Sequence, residues 1–392
     1  MNVLFYRYGS ICEPDLIDAF KEYGLSVHTV DVEITDKNIL PNRRVDILSR
    51  LLLEKDYAFI FSINFFPDIS NVCNICNIPY MCLVVDSPVL ELFSDQIKNP
   101  CNRIFLFDRQ LYNDFSPYNP DCIFYIPLAT NVARWDKAIA SAKPDDFASD
   151  VSFVGSLYTE KCAYDNLNIA DDYTRGTLEG IIEAQLKVYG YYFVDELMTD
   201  ELVESVMDSS PAFYRFAPGC REDYKAVLSQ LYIGTKISAL ERVRTMQMLA
   251  SHFHVDIYTG SDTSIIPGIH NHGLVTTHTQ MPLVFNHSCI NLNITSRSIR
   301  TGMPLRIFDV LGCGGFLITN YQSDLSDCFV PGEHLLVYSS PEELYDLIRY
   351  YREHDKERIE IARHGYEEVR DHHNYIVRVG QMITAAFGGN NT

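Results

Sequence analysis

The sequence contains no apolar run approaching the ~18–20 residues that a membrane-spanning helix needs. Its opening, Met-Asn-Val-Leu-Phe-Tyr-Arg-Tyr-Gly-Ser, lacks the basic start and long apolar stretch of a secretory leader and reads as a first β-strand. A cytoplasmic protein without a transmembrane segment is expected. Positive charge is scarce: 32 Lys and Arg stand against 52 Asp and Glu, a net charge of −20. Nonspecific nucleic-acid binders and readers of anionic membranes need the opposite sign, so neither partner is expected. Glycine (20) and proline (17) are too few for a collagen-like or linker-dominated chain, and 47% apolar residues make a globular composition. Of the eleven cysteines, the pair in Cys73-Asn-Ile-Cys76, with Cys82 nearby, finds no second pair to complete a four-ligand zinc site. Reduced, mostly buried thiols and no metal are expected.

What is present is enough chain for two cores, since 392 residues exceed the roughly 250–300 at which single cores stop growing. Through the first 130 residues, apolar runs at 3–8, 26–32, 57–64, 80–85, 103–107 and 122–126 alternate with amphipathic stretches. One of these, 15–23, closes on Gly24 as a helix closes on its C′ glycine. Nearly continuous runs separated by helical segments imply parallel strands buried on both faces. A second series follows at 151–154, 254–259, 273–275, 289–293, 315–319 and 334–338. Residues 160–250 break the rhythm, and helical spacing over 178–188, 196–207 and 224–250 predicts a helical insertion. The expected class is α/β, with two Rossmann-like domains facing across a cleft. The first domain spans 1–140 and the second 141–355 with its insertion, while helices over 356–392 pack back on the first. The boundary falls in 135–148, where Lys-Pro-Asp-Asp interrupts the pattern.

Acids are absent from residues 263 through 308, a stretch that holds His270, His272, His278 and His287 and ends with Arg297, Arg300 and Arg306. In so acidic a chain this clearance points to an anionic ligand, because guanidinium forks match phosphate oxygens. The competing reading is a buried strand pair with surface arginines. The histidines, spaced His-Asn-His at 270–272 without an acid beside them in sequence, make a poor metal set. Next comes Ser298-Ile-Arg-Thr-Gly-Met-Pro-Leu-Arg306-Ile-Phe-Asp309, then Gly312, Gly314 and Gly315. The Gly-Met-Pro turn opens a helix whose first N–H groups suit an anion, and Asp309 shares a face with Arg306. A carboxylate there suits a sugar hydroxyl better than a phosphate, as on the ribose of dinucleotide folds.

These residues resemble the nucleotide-sugar-binding half of GT-B glycosyltransferases of group 1 type. The branch most similar is that of the spore-maturation (CgeB-like) proteins, which resembles the chain again at Val151-Ser-Phe-Val-Gly-Ser156 and Leu83-Val-Val-Asp-Ser-Pro88. The resemblance implies a transferase moving a sugar from a nucleotide-diphosphate donor, UDP-linked, to an acceptor protein, glycan or cell-surface component. It implies donor contacts from Arg306 to the diphosphate and from Asp309 to the ribose. Arg300, Thr301, Gly302, Gly155, Ser156 and Lys161 would stand around them. Many retaining members carry Glu, seven residues, Glu; here Thr301 and Asp309 fill those places. The alternative implied by that departure is a catalytically inactive nucleotide-sugar-binding or scaffolding protein.

Transfer requires the leaving diphosphate to be neutralised, which arginines and a helix start supply without a metal, and the chain has no Asp-X-Asp signature. It also requires an acceptor for a proton. Asp86, following the run 81–85, is the leading candidate, because ligands of α/β folds bind at the carboxyl ends of strands. Asp108 holds the equivalent place on the next strand. Both also fit plain turn or cap chemistry. Arg7 and Tyr8 end the first strand on the acceptor side. The aromatics of the insertion, among them Tyr189, Tyr191, Tyr192, Phe213, Tyr214 and Phe216, fit core packing, acceptor contact or a homo-oligomer interface.

Overall fold

The computed structural model describes residues 1–143 and 147–388. Within the predicted boundary, residues 144–146 of the Lys-Pro-Asp-Asp break lie outside the described residues. Two compact units form. The first comprises Met1–Thr130, Phe216–Glu222 and the tail from His372; the second comprises Asn131–Arg215 and Asp223–Asp371.

The first unit is built on strands β1 (Asn2–Tyr6), β2 (Ser26–Val30), β3 (Phe59–Ile63), β4 (Tyr80–Leu83), β5 (Asn102–Leu106) and β6 (Ile123–Tyr125). They are all parallel, in the order β2-β1-β3-β4-β5-β6. Crossover helices make this pairing possible. The helix Glu13–Glu22 is one of them; it starts with Pro14 in its first turn and stops where Gly24 takes φ +90°. The central strands β1, β3, β4 and β5 are almost wholly buried, as continuous apolar runs require. Helix Tyr375–Phe387 closes this unit: Phe387 packs on Phe59, and Arg378 donates to the carbonyl of Leu128 at 2.9 Å. The return to the first unit comes at His372; helix Asp355–His372, over most of its length, stays with the second.

The second unit carries β7 (Ser149–Val154), β8 (Val255–Tyr258), β9 (His270–Asn271), β10 (Ser288–Asn293), β11 (Leu317–Asn320) and β12 (Leu336–Tyr338). The order is β12-β11-β10-β7-β8-β9, again parallel throughout. The strand expected at 273–275 does not form. Gly273, at φ +75°, turns the chain out of extended geometry, and only exposed His270 and Asn271 pair at this edge. The insertion is helical, with Asp172–Gln185, Asp200–Ser209 and a continuous rod from Tyr224 to Ala250. That rod is π-helical over Val227–Ile233, and the displaced carbonyls there accept side chains: Tyr192 donates to Ser229 and Ser298 to Gln230.

Phe213 is 2% exposed and stacks on Tyr232, with centroids 4.9 Å apart; Tyr192 and Phe216 are buried as well. Phe213, Tyr192 and Phe216 thus serve packing, whereas Tyr191 of the same set is exposed. Phe216–Glu222 belongs to the first unit: Phe216 packs on Phe93, and the Arg221 guanidinium lies over Phe93, Phe115 and Tyr118.

Candidate functional site

In an open parallel sheet, ligands bind outside the carboxyl ends of strands where the order reverses. The second unit reverses between β7 and β10, since the chain runs β7, β8, β9 to one side and returns to β10 on the other. Gly155 and Ser156 follow β7, and Ile294 follows β10. Between these two strand ends lies the Arg242 side chain from helix Gly234–Ala250. Its Nη1 donates to the Ser156 carbonyl and its Nη2 to the Ile294 carbonyl. The guanidinium is flanked by the rings of Tyr158 (4.4 Å) and Phe153 (5.5 Å). Tyr158 itself sits at φ +64°, a costly conformation for a bulky residue and one that concentrates at functional loops.

Arg306 lies in the first turn of helix Leu305–Gly312. Its Nη1 meets the Met281 sulfur, its guanidinium covers the Phe285 ring at 5.1 Å, and its carboxylate partner is Asp309 at 3.8 Å. Burial works against the charge of Arg306, and Asp309 offsets part of that effect. Burial also works against the charge of Arg242, and repulsion from Arg306 adds to it. Two guanidinium groups thus share one neighbourhood.

The other two arginines of the acid-free stretch are spoken for. Arg297 is gripped by both oxygens of Glu241, each at 2.7 Å, with the pair only 6% and 3% exposed. Arg300, also buried, pairs with Asp195 at 3.0 Å. The counter-charges of Arg297 and Arg300 come from the insertion, whereas Arg306 has its carboxylate partner, Asp309, on its own helix. Arg297 and Arg300, expected from the sequence to mark an anion, are thus engaged in ion pairs with the insertion.

Thr301 donates to Asp324, a buried acid after β11, and the Gly302 carbonyl accepts from Gln322. Asp309 is 7% exposed. Lys161 is exposed and makes no ion pair with the described residues, while Ser156 donates to Glu160 at 2.8 Å. Gly315 serves packing: a Cβ there would lie 2.5 Å from the Phe285 carbonyl and 2.8 Å from Asn291. Arg242 was not legible in the sequence, because it reaches the two strand ends across 86 and 52 residues of chain.

The first unit reverses between β1 and β3. Asn64, just past β3 at φ +57°, donates from Nδ2 to Asp86 at 2.7 Å and to the Tyr8 hydroxyl at 3.0 Å, and accepts from the Val85 amide. Tyr8 and Asp86 thus meet through Asn64, although β4 ends at Leu83, earlier than the sequence implied. Asp86 is exposed. Burial raises the Tyr8 pKa, and the Asp86 charge raises it further, so the phenol remains a donor at neutral pH. Asp108 is 1% exposed and accepts from the Leu111 amide at 3.0 Å as the cap of helix Arg109–Phe115. Arg7 is held by Glu13 and Asp31. Among the described residues no group of His, Cys, Asp and Glu could hold a metal ion, and no helix is long and apolar enough to cross a membrane. Cys73 is buried while Cys76 is exposed.

Comparison with known proteins adds to this geometry. Residues 238–384 match a family model described as glycosyl transferase-like. That stretch includes Arg242, Arg306 and Asp309 but not Asp86. No curated protein sequence matches the chain. Among solved structures, sucrose-phosphate synthase from Thermosynechococcus elongatus is similar over 100% of both chains, at 10% identity and a TM-score of 0.60. A UDP-forming α,α-trehalose-phosphate synthase from Burkholderia xenovorans aligns over 100% of this chain and 99% of its own, at 11% identity and a TM-score of 0.54. Anabaena HepE in complex with UDP and glucose aligns over 99% of each chain, at 12% identity and a TM-score of 0.51. The two six-stranded parallel sheets with their flanking helices have the GT-B fold of two Rossmann-like domains.

Proposed function

We propose that the protein is a glycosyltransferase of the spore-maturation (CgeB-like) branch, transferring a hexose from a UDP-linked donor to a protein or glycan acceptor without a catalytic metal. The observation that carries the reading is Arg306. It is a partly buried cation at the start of helix Leu305–Gly312, next to the reversal of the second sheet, and its carboxylate partner is 3.8 Å away. A diphosphate supplies the charge that this arrangement lacks, and the helix start adds N–H donors to it. Asp309, one turn on, is suited to ribose hydroxyls rather than to phosphate. The family model matched over residues 238–384 and the UDP present in the Anabaena relative support the same donor.

On the acceptor side, Asp86 takes the hydroxyl proton, and Asn64 orients its carboxylate. The leaving diphosphate is stabilised by fixed positive charge, so no metal enters the step. The test is a panel of nucleotide sugars screened by thermal shift, followed by hydrolysis and transfer assays with and without chelator. A UDP-sugar is expected to raise the melting temperature, and chelator is expected to leave turnover unchanged. Absence of any nucleotide-sugar shift overturns the reading. Binding without turnover against any acceptor favours an inactive nucleotide-sugar-binding protein.

A further inference from the structure

Arg242 is 8% exposed, and no carboxylate among the described residues pairs with it. Its chain neighbour Glu241 gives both oxygens to Arg297. Its two Nη groups are satisfied by main-chain carbonyls and its faces by two aromatic rings, while its Nε has no hydrogen-bond partner among the described residues. A buried charge is normally paired, because removing it from water costs several kcal/mol. Of the ionised side chains acting on it, its neighbour Glu241 favours its charge and Arg306 opposes it. Carbonyl dipoles, ring faces and the already committed Glu241 therefore meet this charge in place of a dedicated carboxylate. Arg242 also ties together the two strand ends, Ser156 after β7 and Ile294 after β10, between which the sheet order reverses.

We propose that Arg242 is a positioning residue of the donor site: the last helix of the insertion delivers a fixed positive charge that holds the two strand ends and awaits the donor's diphosphate. This rests on the donor reading given above and extends it to a residue outside the segment that ends in Arg306. The Nε and both Nη groups face protein, so the charge acts through space and through the two carbonyls it fixes, not as a direct ligand. It also assigns a task to the insertion. The same helix secures the loop after β10 through Ser238, which accepts from the Arg297 amide at 2.8 Å, and through Glu241.

The experiment compares wild type with Arg242→Met, Arg242→Gln and Arg242→Lys. Melting temperature is measured without ligand, and calorimetry measures affinity for UDP, uridine and inorganic pyrophosphate. Methionine fills the space without charge, glutamine keeps a donor for a carbonyl without charge, and lysine keeps the charge. For the methionine or glutamine variant, the expected result is a folded protein with a lowered unliganded melting temperature, because strand-end carbonyls lose a donor. UDP and pyrophosphate affinity should fall at least tenfold while uridine affinity holds, and lysine should retain most of the UDP preference. Equal losses for UDP and uridine, or an unchanged ratio between them, overturn the proposal. So does failure of both uncharged variants to fold, because Arg242 is then a structural clamp. A wild-type protein that binds neither UDP nor pyrophosphate instead removes the donor reading itself.

Discussion

Arg306 meets a thioether, an aromatic face and one carboxylate at 3.8 Å, so its guanidinium has capacity left for a charged ligand. Arg306→Ala is expected to weaken UDP binding by about 1.5–3 kcal/mol, the usual value of a charge-assisted contact, and to leave uridine nearly untouched. Calorimetry with both ligands checks the split, and equal losses would take Arg306 away from the phosphate. Asp86 differs in kind, being exposed and oriented by a single amide from Asn64. Asp86→Asn preserves size and removes the base, so turnover should fall by ~10²–10⁴ with donor affinity within a few-fold. Product of inverted anomeric configuration, read by NMR, accompanies that role; retention of configuration would exclude it.

At the scale of elements, the insertion is a brace for the loop after β10. Asp195 holds Arg300, Glu241 holds Arg297, and the π-helical carbonyl of Gln230 receives Ser298. Because the Glu241–Arg297 pair is almost completely buried, removing one partner strands the other. Glu241→Gln is expected to cost roughly 3–5 kcal/mol in urea denaturation, well above the value of a surface pair. The double variant Glu241→Met with Arg297→Met should recover most of that loss, since an apolar replacement leaves no orphaned charge. A cost below about 1 kcal/mol for the single change would mean that water reaches the pair.

At the scale of the whole molecule, the chain enters the first unit three times, as Met1–Thr130, as Phe216–Glu222 and from His372 onward. The last entry carries weight out of proportion to its position, because Val379 and Met382 are fully buried and helix Tyr375–Phe387 covers the sheet. Met382→Ala is therefore expected to destabilise the protein by about 2–5 kcal/mol in chemical denaturation, as at a core position; a change under 0.5 kcal/mol would mark the tail as dispensable. Most of the strands and the helical insertion were legible in the sequence, because continuous apolar runs and helical spacing are local consequences of burial. The exception at 273–275 is also local, since Gly273 leaves extended geometry there. That Asp86 follows a strand and Arg306 opens a helix could be read for a related reason: strand ends and helix starts can be counted along the chain. Which acid neutralises which base, and that Arg242 lies between β7 and β10, were decided by tertiary structure alone. Arg297 meets Glu241 across 56 residues and Arg300 meets Asp195 across 105, and Arg242 reaches Ser156 across 86. Charge compensation depends on distance in space, and no spacing in the sequence encodes contacts of that range.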